Sequence, residues 1–449
     1  MSLFGTDGIR GVANTELTPE LAFEVGRAGA AALSAGKNRG ALIVGRDTRL
    51  SGTMLEAAIV AGIASAGCDA VSLGVIPTPG VAYVTRCEQA LGGIVISASH
   101  NPVADNGIKF FGPDGFKLSD DAERAIESLL GSKDAPRPTG IGVGSVRTAQ
   151  NLGRHYYRHL YERGAGLHGL HVVVDAAYGA AFAIAPYALR KLGATVTELH
   201  CENDGSRINV NCGATDLRPL QAAVRARLDA GKTRVVGVAF DGDADRALFV
   251  DESGEVVSGD HVMFAIGTAM HDAGELAYDT IVGTTMSNFG FERALAARGI
   301  ALVRAPVGDR YVLERMRAGG FVLGGEQSGH VIDLRHGTTG DGPAVAMSLL
   351  RLLVERNVTL RELIAAIEPV PQVLLNVRTR RREVLDAGDV RAAIEAGEAR
   401  LGASGRLLVR ASGTEPLIRV MAEGDDAGLV EQVAGRIAAA IEKEIADLA

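Results

Sequence analysis

Two polar segments of the chain each follow a short run of apolar residues. Ser99 lies in the segment 97–102 (SASHNP), directly after the apolar residues 94–96. The segment 241–246 (DGDADR) carries three aspartates and follows the apolar residues 235–240. Open α/β sheets bind ligands beyond the carboxyl ends of their strands, so a hydroxyl at one strand end and carboxylates at another suggest a metal-assisted phosphoryl carrier. Two unrelated polar loops are the alternative.

Asp241, Asp243 and Asp245 occupy every second position of their segment. An extended segment would place all three carboxylates on one side, where they repel one another unless a cation lies between them. Oxygen ligands of this kind favour Mg²⁺ or Ca²⁺. An EF-hand loop is a poor fit, because Arg246 stands where that loop needs glycine and a strand precedes it. A phosphatase that forms an aspartyl phosphate, or a solvated acidic turn, would also account for these residues.

Ser99 alone would be a weak signal, because a loop serine can simply satisfy neighbouring backbone groups. Pairing with His100 as nucleophile and base is disfavoured, since adjacent side chains rarely point at each other. A phosphoserine would carry about −1.5 to −2 charges at neutral pH. Beside the aspartates, that charge would require a divalent cation.

A third segment, 324–330 (GGEQSGH), is suited to a sugar. Glycine allows close approach of the backbone, and Glu326, Ser328 and His330 offer donors and acceptors for hydroxyl groups. A polar turn explains the same residues equally well.

Two further segments are rich in glycine and arginine. Residues 410–416 (RASGTEP), with Arg419 beyond them, combine hydroxyls, a glycine turn and arginines in a pattern that suits a phosphate. A capping loop before a helix is the alternative. Residues 4–11 (FGTDGIRG) place Arg10 in a tight, glycine-dense loop.

The elements that position these segments form one unit that recurs three times. In each unit a strand, a glycine-containing turn, a helix, a glycine and a second strand follow one another. The first strands are predicted at 41–44, 171–175 and 280–283. Their continuous apolar character is typical of parallel sheets covered by helices on both faces. After the first of these strands, Arg46 and Arg49 are compatible with surface ion pairs.

The chain has 449 residues, which is more than a single core accommodates. We predict an α/β protein with three related mixed α/β sheet domains and a smaller C-terminal α+β domain. The predicted domains span residues 1–150, 151–250, 251–367 and 372–449. Pro369 and Pro371 mark the linker before the last domain.

The composition excludes several classes of protein. Aromatic residues make up 4% of the chain and Trp is absent, while the formal net charge is −8, so nucleic acid is not an expected partner. The four cysteines form no CxxC pair, which predicts reduced thiols rather than a zinc or disulfide framework. No apolar stretch is long enough to span a bilayer, and no signal peptide is evident. We expect a soluble cytoplasmic protein without a membrane partner.

Taken together, the segments FGTDGIRG, SASHNP, DGDADR, GEQSGH and RASGTEP resemble, in this order, the motifs of the α-D-phosphohexomutase superfamily. The resemblance covers nearly the whole chain. Residues 324–330 and 203–213 are similar to the glucosamine branch, although Arg207 and Ala214 depart from its commonest residues.

The resemblance implies four domains around a central cleft, each contributing one loop. It implies an isomerase that interconverts glucosamine 6-phosphate and glucosamine 1-phosphate through a sugar 1,6-bisphosphate, which serves as intermediate or primer. The product would supply amino-sugar precursors for cell-wall synthesis. A phosphomannomutase or phosphoglucomutase with the same mechanism is the alternative. The expected partners are small hexosamine phosphates, and a homodimer is compatible with the family.

The resemblance also implies a role for each motif. Ser99 would carry a covalent phosphate and, through a phosphate oxygen, bind one Mg²⁺ together with the three aspartates. Arg246 would stabilise the transferring group. Arg10, Lys109 and His330 would handle the proton or stabilise charge. The residues expected to bind the sugar and its distal phosphate are Glu326, Ser328, His330, Arg410, Ser412, Gly413, Thr414 and Arg419.

Overall fold

The structure is a computed structural model that describes residues 3–5, 7–35, 40–132, 136–162, 166–412 and 416–448. The chain divides into two compact units. The first comprises Met1–Thr284 and Ala305–Ile364, and the second comprises Thr285–Arg304 and Ala365–Ala449. No helix among the described residues is long and apolar enough to cross a membrane.

The N-terminal part of the first unit is built on a six-stranded sheet. Its elements are β1 (Ile9–Val12), α1 (Pro19–Ser34), β2 (Ala41–Arg46), α2 (Leu50–Ser65), β3 (Asp69–Val75), α3 (Thr78–Cys87), β4 (Gly92–Ile96), β5 (Asp105–Phe111), α4 (Asp120–Leu129) and β6 (Val146–Thr148). The strand order is β1-β5-β4-β2-β3-β6. Strands β2 and β3 of the recurring unit run parallel, as predicted, and β4 and β6 are parallel to them, whereas β5 is antiparallel to both β4 and β1. The connection 97–104 explains this, because it is too short for the crossover that a parallel partner needs.

A second sheet follows in the same unit. Its elements are α5 (Gly153–Tyr161), β7 (His171–Asp175), α6 (Ile184–Lys191), β8 (Thr195–Leu199), α7 (Arg218–Asp229), β9 (Val235–Phe240), β10 (Ala247–Val250) and β11 (Val256–Val257). The strand order is β11-β10-β9-β7-β8, in which β7 is parallel to β8 and β9, while β10 is antiparallel to β9. All six residues of β9 are buried. The aspartate segment 241–246 is therefore the turn that joins a buried strand to its antiparallel neighbour.

The third part of the chain contributes to both units. Its elements are α8 (Gly259–Asp272), β12 (Thr280–Thr284), α9 (Phe289–Ala296), β13 (Ala301–Ala305), α10 (Asp309–Gly319), β14 (Leu323–Gly325), β15 (Val331–Asp333), α11 (Gly342–Glu355) and α12 (Leu360–Ile364). Strand β14 is parallel to β12 and antiparallel to β15. The sugar segment joins β14 to β15.

The C-terminal part of the second unit is the predicted smaller α+β domain. Its elements are β16 (Gln372–Arg378), α13 (Gly388–Leu401), β17 (Gly405–Ala411), β18 (Leu417–Gly424) and α14 (Ala427–Asp447). The sheet has the order β16-β18-β17 and is antiparallel throughout, with Val420 and Ile437 in its core. The segment 410–416 joins two strands, so the interpretation as a capping loop before a helix is wrong. The predicted domain boundaries stay predictions.

Candidate active site

The backbone of Ser99 is held in an uncommon conformation at the end of β4. Its φ of 51° lies in the left-handed region, which is rare for a residue with a side chain. The N–H of Ser99 donates to Ser97 Oγ over 2.9 Å, and Ser97 Oγ in turn donates to Asp47 Oδ2 over 2.5 Å. Strand β2, which leads to Asp47, is the neighbour of β4 in the sheet. Adjacent strand ends therefore fix the serine loop.

Arg49 holds the same loop from the other side. Its guanidinium is fully buried, with its Nε 3.0 Å from Asp47 Oδ2. It donates to four carbonyl oxygens, at 2.9 Å from Ser99, 2.7 Å from Asn101, 2.5 Å from Pro102 and 3.0 Å from Asp105. The interpretation of Arg49 as a surface ion-pair residue is wrong, because a strand end brings it under a loop that directs four carbonyl groups at its guanidinium.

The Ser99 hydroxyl faces the aspartate segment. Its Oγ donates to Asp241 Oδ2 over 2.5 Å, and the side chain is almost completely buried. The Nδ1 atom of His100 lies 3.2 Å from the same Oγ, contrary to the expectation that adjacent side chains diverge. The left-handed turn at Ser99 brings the two side chains together. Burial, together with the charges of Arg246 and Arg10, lowers the pKa of His100 to about 4, so its imidazole is neutral near pH 7.

The three aspartates converge through a turn and not through an extended segment. Ala244, between the last two, has a φ of 57°, so the geometry expected from simple alternation is wrong although the convergence is real. One carboxylate oxygen from each of Asp241, Asp243 and Asp245 lies within 4.8 Å of the others, and all three residues are buried.

The three carboxyl groups of this triad differ in pKa. Burial and the neighbouring charges of Asp245 and Asp243 raise the pKa of Asp241 well above its ordinary value. Burial and the charge of Asp243 raise the pKa of Asp245. Burial also acts to raise the pKa of Asp243, but Lys109 and the Thr78 hydroxyl outweigh it and lower that pKa below its ordinary value.

The triad suits a divalent cation with oxygen ligands. Asp243 Oδ1 and Asp245 Oδ1 are buried and accept no hydrogen bond. Buried acceptors without donors are costly, and a Mg²⁺ or Ca²⁺ ion would satisfy them and relieve the mutual repulsion. The residues therefore fit the predicted metal.

Lys109 provides a fixed positive charge next to the triad. Its Nζ lies 3.1 Å from Asp243 Oδ2, 3.0 Å from Asp7 Oδ2 and 3.8 Å from Asp245 Oδ2. Burial acts to lower the pKa of this ammonium group, but the surrounding carboxylates outweigh it and raise the pKa above its ordinary value. Lys109 therefore remains protonated.

Two arginines flank this centre. Arg10 donates to Asn101 Oδ1 over 3.1 Å and contacts Asp7. Arg246 donates its backbone N–H to Asp241 Oδ1 over 3.3 Å, and its Nε lies 3.8 Å from Asp245 Oδ1. Both arginines lie where they can meet an anion beside the triad.

The sugar segment, residues 324–330, packs beside the aspartate segment, residues 241–246, within the first unit. Gly329 has a φ of 93°, and its carbonyl accepts the N–H of Ala247 over 3.1 Å. A Cβ at position 329 would lie 2.5 Å from the Ala247 carbonyl oxygen, so only glycine fits there. The segment between β14 and β15 is thus locked beside the turn that carries the aspartates.

The predicted sugar residues differ in their hydrogen-bonding state. Glu326 Oε1 accepts the N–H of Gly308 over 2.8 Å, whereas Ser328 Oγ is buried without a hydrogen bond. Both ring nitrogens of His330 are buried without a hydrogen bond, and Nε2 lies 3.8 Å from Asp245 Oδ2. Ser328 and His330 therefore have polar atoms available to a ligand.

The predicted phosphate residues lie in the second unit. Arg410 on β17 and Arg419 on β18 are direct partners across the antiparallel pair, so their side chains share one face of the sheet. Like charges in opposed positions are unfavourable unless an anion lies between them. The backbone N–H of Ser412 bonds to the Leu417 carbonyl over 2.8 Å. Gly413 and Thr414 lie outside the described residues.

A chain of charges crosses the first unit, and the sequence does not reveal it. Lys117 Nζ lies 2.5 Å from Asp7 Oδ1 and also contacts Asp309, whose Oδ2 is 3.6 Å from His330 Nε2. Asp7 lies within the FGTDGIRG motif, but nothing local marks Lys117 or Asp309, because only the fold brings them together.

Comparison with known proteins assigns the class. The phosphoglucomutase/phosphomannomutase domain models match α/β/α domain I at residues 1–137, domain II at 154–254, domain III at 258–370 and the C-terminal domain at 374–440. The chain therefore belongs to the phosphoglucomutase/phosphomannomutase family of the α-D-phosphohexomutase superfamily. The predicted superfamily and fold class are confirmed.

Two relatives of nearly the same length narrow this assignment. A phosphoglucosamine mutase of a Thermoanaerobacter species is 47% identical over 448 residues, 99% of each chain. That of Symbiobacterium thermophilum is 50% identical over 450 residues, again 99% of each chain. These relatives favour the glucosamine branch over the mannose and glucose branches, as the sequence motifs predicted.

Solved structures share the fold at low sequence identity. A phosphoglucomutase/phosphomannomutase family protein from Burkholderia thailandensis has a TM-score of 0.82 and 24% identity, covering 99% of this chain and 98% of that one. The N-acetylphosphoglucosamine mutase of Aspergillus fumigatus in complex with GlcNAc-6P and magnesium has a TM-score of 0.66 and 18% identity, with coverages of 98% and 95%.

Proposed function

We propose that this chain is a cytoplasmic isomerase that interconverts glucosamine 6-phosphate and glucosamine 1-phosphate through a phosphorylated Ser99. The contact of Ser99 Oγ with Asp241 Oδ2 at 2.5 Å carries the proposal. A phosphoryl group on this oxygen would lie at the aspartate triad, where its oxygens could complete a cation site. The shared name of the relatives supports the amino sugar as substrate. The product would supply amino-sugar precursors of the cell wall.

Asp241, Asp243 and Asp245 would hold one Mg²⁺. When bound, Mg²⁺ supplies charge neutralisation to the transferring phosphoryl group. The chain supplies further positive charge through Lys109, whose contacts with Asp243 and Asp7 fix its position. Because its pKa is raised, Lys109 acts as a permanent cation and not as a base.

The first transfer exchanges two bonds to phosphorus. The free hydroxyl oxygen of a sugar monophosphate attacks phosphorus, and the bond from phosphorus to Ser99 Oγ breaks. The proton of the sugar hydroxyl is lost to a base, and a proton is restored to the serine oxygen. His330 is suited to accept the first proton, because both of its ring nitrogens are free of hydrogen bonds in a buried position.

The second transfer needs the sugar bisphosphate to turn over, so that its other phosphate returns to Ser99. Throughout, one phosphate is distal to the reacting centre. The opposed pair Arg410 and Arg419, with Ser412, Gly413 and Thr414, would hold that distal phosphate in both orientations. Arg246 and Arg10 would contact the transferring group.

Replacement of Ser99 tests the carrier role. We expect Ser99→Ala, assayed with Mg²⁺ and glucose 1,6-bisphosphate as primer, to lose mutase activity by at least about 10⁴-fold, a loss of the size produced by removing a nucleophile. Ser128→Ala, at an exposed serine of α4, is the matched control and should retain full activity. Substantial activity in Ser99→Ala would contradict the mechanism.

Mass spectrometry of the isolated protein distinguishes a phosphoserine enzyme from an aspartyl-phosphate enzyme. Phosphate on Ser99 supports the proposal, whereas phosphate on Asp241 would favour the aspartyl-phosphate enzyme. The values of kcat/KM for the glucosamine, mannose and glucose phosphates test the sugar. If glucosamine phosphate were the poorest of the three, the assignment to the amino sugar would fail.

A further inference from the structure

A second group of metal-ligand side chains lies away from the aspartate triad in sequence and chemistry. Asp175 is the last residue of β7, His200 follows the end of β8, and Cys212 precedes the short 3₁₀ turn Gly213–Thr215. Strands β7 and β8 are parallel neighbours with Asp175 opposite Leu199. One carboxylate oxygen, one imidazole nitrogen and the thiol sulfur of these residues all lie within 4.8 Å of one another. Among the described residues, only the aspartate triad forms a comparable group.

Two of these ligand atoms face each other without a good hydrogen bond. Asp175 Oδ2 and His200 Nδ1 are 3.0 Å apart, and both are buried outside hydrogen-bonding geometry. Asp175 Oδ1 is already occupied by the N–H of Ala177 at 2.9 Å, which leaves Oδ2 directed at the group. In a tetrahedral zinc site with bonds of about 2.0–2.1 Å, oxygen and nitrogen ligands lie roughly 3.3 Å apart. The observed separation is close to this value.

We propose that Asp175, His200 and Cys212 bind one Zn²⁺ ion. A carboxylate, an imidazole and a thiolate form a mixed set of hard and soft donors, which suits Zn²⁺ and not Mg²⁺. Asp175 and Cys212 are fully buried and His200 is half-buried, so the ion would be largely enclosed.

Metal binding at this group requires loss of a proton from the thiol. Burial raises the pKa of Cys212 to about 12, so the metal-free protein carries a neutral thiol. Binding exchanges that proton for the S–Zn bond, while Asp175 as a carboxylate and His200 as a neutral imidazole each supply a lone pair. The Asp175 carboxylate raises the pKa of His200, so any proton held by the imidazole is also lost on binding. Zn²⁺ uptake therefore releases the proton of Cys212 and any proton of His200, and no oxidation or reduction occurs.

The ion would position the serine loop without touching substrate. The segment between His200 and Cys212 carries Asn209, whose Nδ2 donates to the Ser99 carbonyl over 2.8 Å. The Asn209 N–H bonds to the carbonyl of Ala177, two residues after Asp175, over 3.0 Å. Zn²⁺ would fasten both ends of this segment to the strand ends of the second sheet, and so hold Asn209 against the Ser99 loop.

Cobalt is a direct probe of this site, because Co²⁺ replaces Zn²⁺ and absorbs in the near ultraviolet when bound to thiolate. The full chain is stripped with a chelator, dialysed and titrated with Co²⁺. With excess Mg²⁺ present to occupy the aspartate triad, we expect a thiolate-to-cobalt band that saturates at one equivalent and is bleached by Zn²⁺. The aspartate triad has no sulfur, so occupation of the Mg²⁺ site gives no such band.

Single substitutions test which side chains bind the metal. Cys212→Ser should abolish the band, and His200→Gln should weaken Zn²⁺ binding, measured by chelator competition, at least tenfold. Cys201→Ser is the matched control, since it lies beside His200 but outside the group, and it should keep the band. If Cys212→Ser fails to fold, His200→Gln and the wild type still decide. A wild type without the band, or a band retained in folded Cys212→Ser, would overturn the proposal. None of these readouts depends on mutase activity.

Discussion

Removal of the Arg49 guanidinium should both destabilise the protein and impair Ser99. Arg49 pairs with buried Asp47 and donates to four carbonyl oxygens of the serine loop. Breaking a buried ion pair from one side costs about 3–5 kcal/mol, and each lost hydrogen bond to a charged group about 1.5–3 kcal/mol, although such terms are not additive. For Arg49→Met we expect a loss of about 4 kcal/mol in the free energy of unfolding.

Arg49→Lys separates charge from geometry. Lysine keeps the positive charge, but its single ammonium group cannot span four carbonyl groups and a carboxylate, so we expect a loss of about 2 kcal/mol. Because the Ser99 carbonyl loses one of its two donors and keeps only Asn209 Nδ2, the serine loop loosens. We therefore expect kcat to fall about 100-fold in both variants, as for misplacement of a reacting group.

Urea unfolding followed by circular dichroism gives the stability, and coupled mutase assays give kcat. Arg124→Met is the matched control, because Arg124 pairs with Asp121 on the exposed surface of α4. Exposed pairs contribute roughly 0–1 kcal/mol, so this variant should remain near wild type in both measurements. Wild-type stability and kcat in Arg49→Lys would refute the argument that the fork of Arg49 organises the loop.

Three further outcomes follow from other parts of the structure. Asp243→Asn should raise the Mg²⁺ concentration for half-maximal activity at least about tenfold, because metal-site changes typically weaken binding by roughly 10- to 100-fold; an unchanged titration would remove Asp243 from the metal site. Arg410→Met should raise KM about tenfold or more through loss of a charged hydrogen bond worth about 1.5–3 kcal/mol, with no loss of stability, since its partner Arg419 carries a like charge; an unchanged KM would contradict the distal phosphate role. Burial lowers the pKa of His261, whose Nδ1 accepts from Ser258. The stability contributed by its neutral form is present above about pH 6.5 and is lost as the pH falls, so wild type should lose stability relative to His261→Gln between about pH 7 and 5. Parallel pH profiles in urea unfolding would show that the fold does not depress this pKa.

Local sequence patterns were sufficient to predict the segments that carry the chemistry and most of the strands that position them. Continuous apolar runs predicted strands that are buried in the sheets, as all six residues of β9 show. Short polar segments after such runs had to lie at strand ends, which placed Ser99 at the carboxyl end of β4 and the aspartates at the carboxyl end of β9.

The sequence by itself determined which residue types could bind metal, phosphate and sugar, because their chemistry and their position after buried strands are local properties. Only the tertiary structure decided which of them meet. The contact of Ser99 with Asp241 spans 142 residues, and that of Lys109 with Asp243 spans 134. Arg49 looked like a surface residue because its four carbonyl partners lie about 50 residues further along the chain, around the end of another strand. Long-range pairing depends on how strands are ordered in the sheets, and strand order leaves no mark in local periodicity.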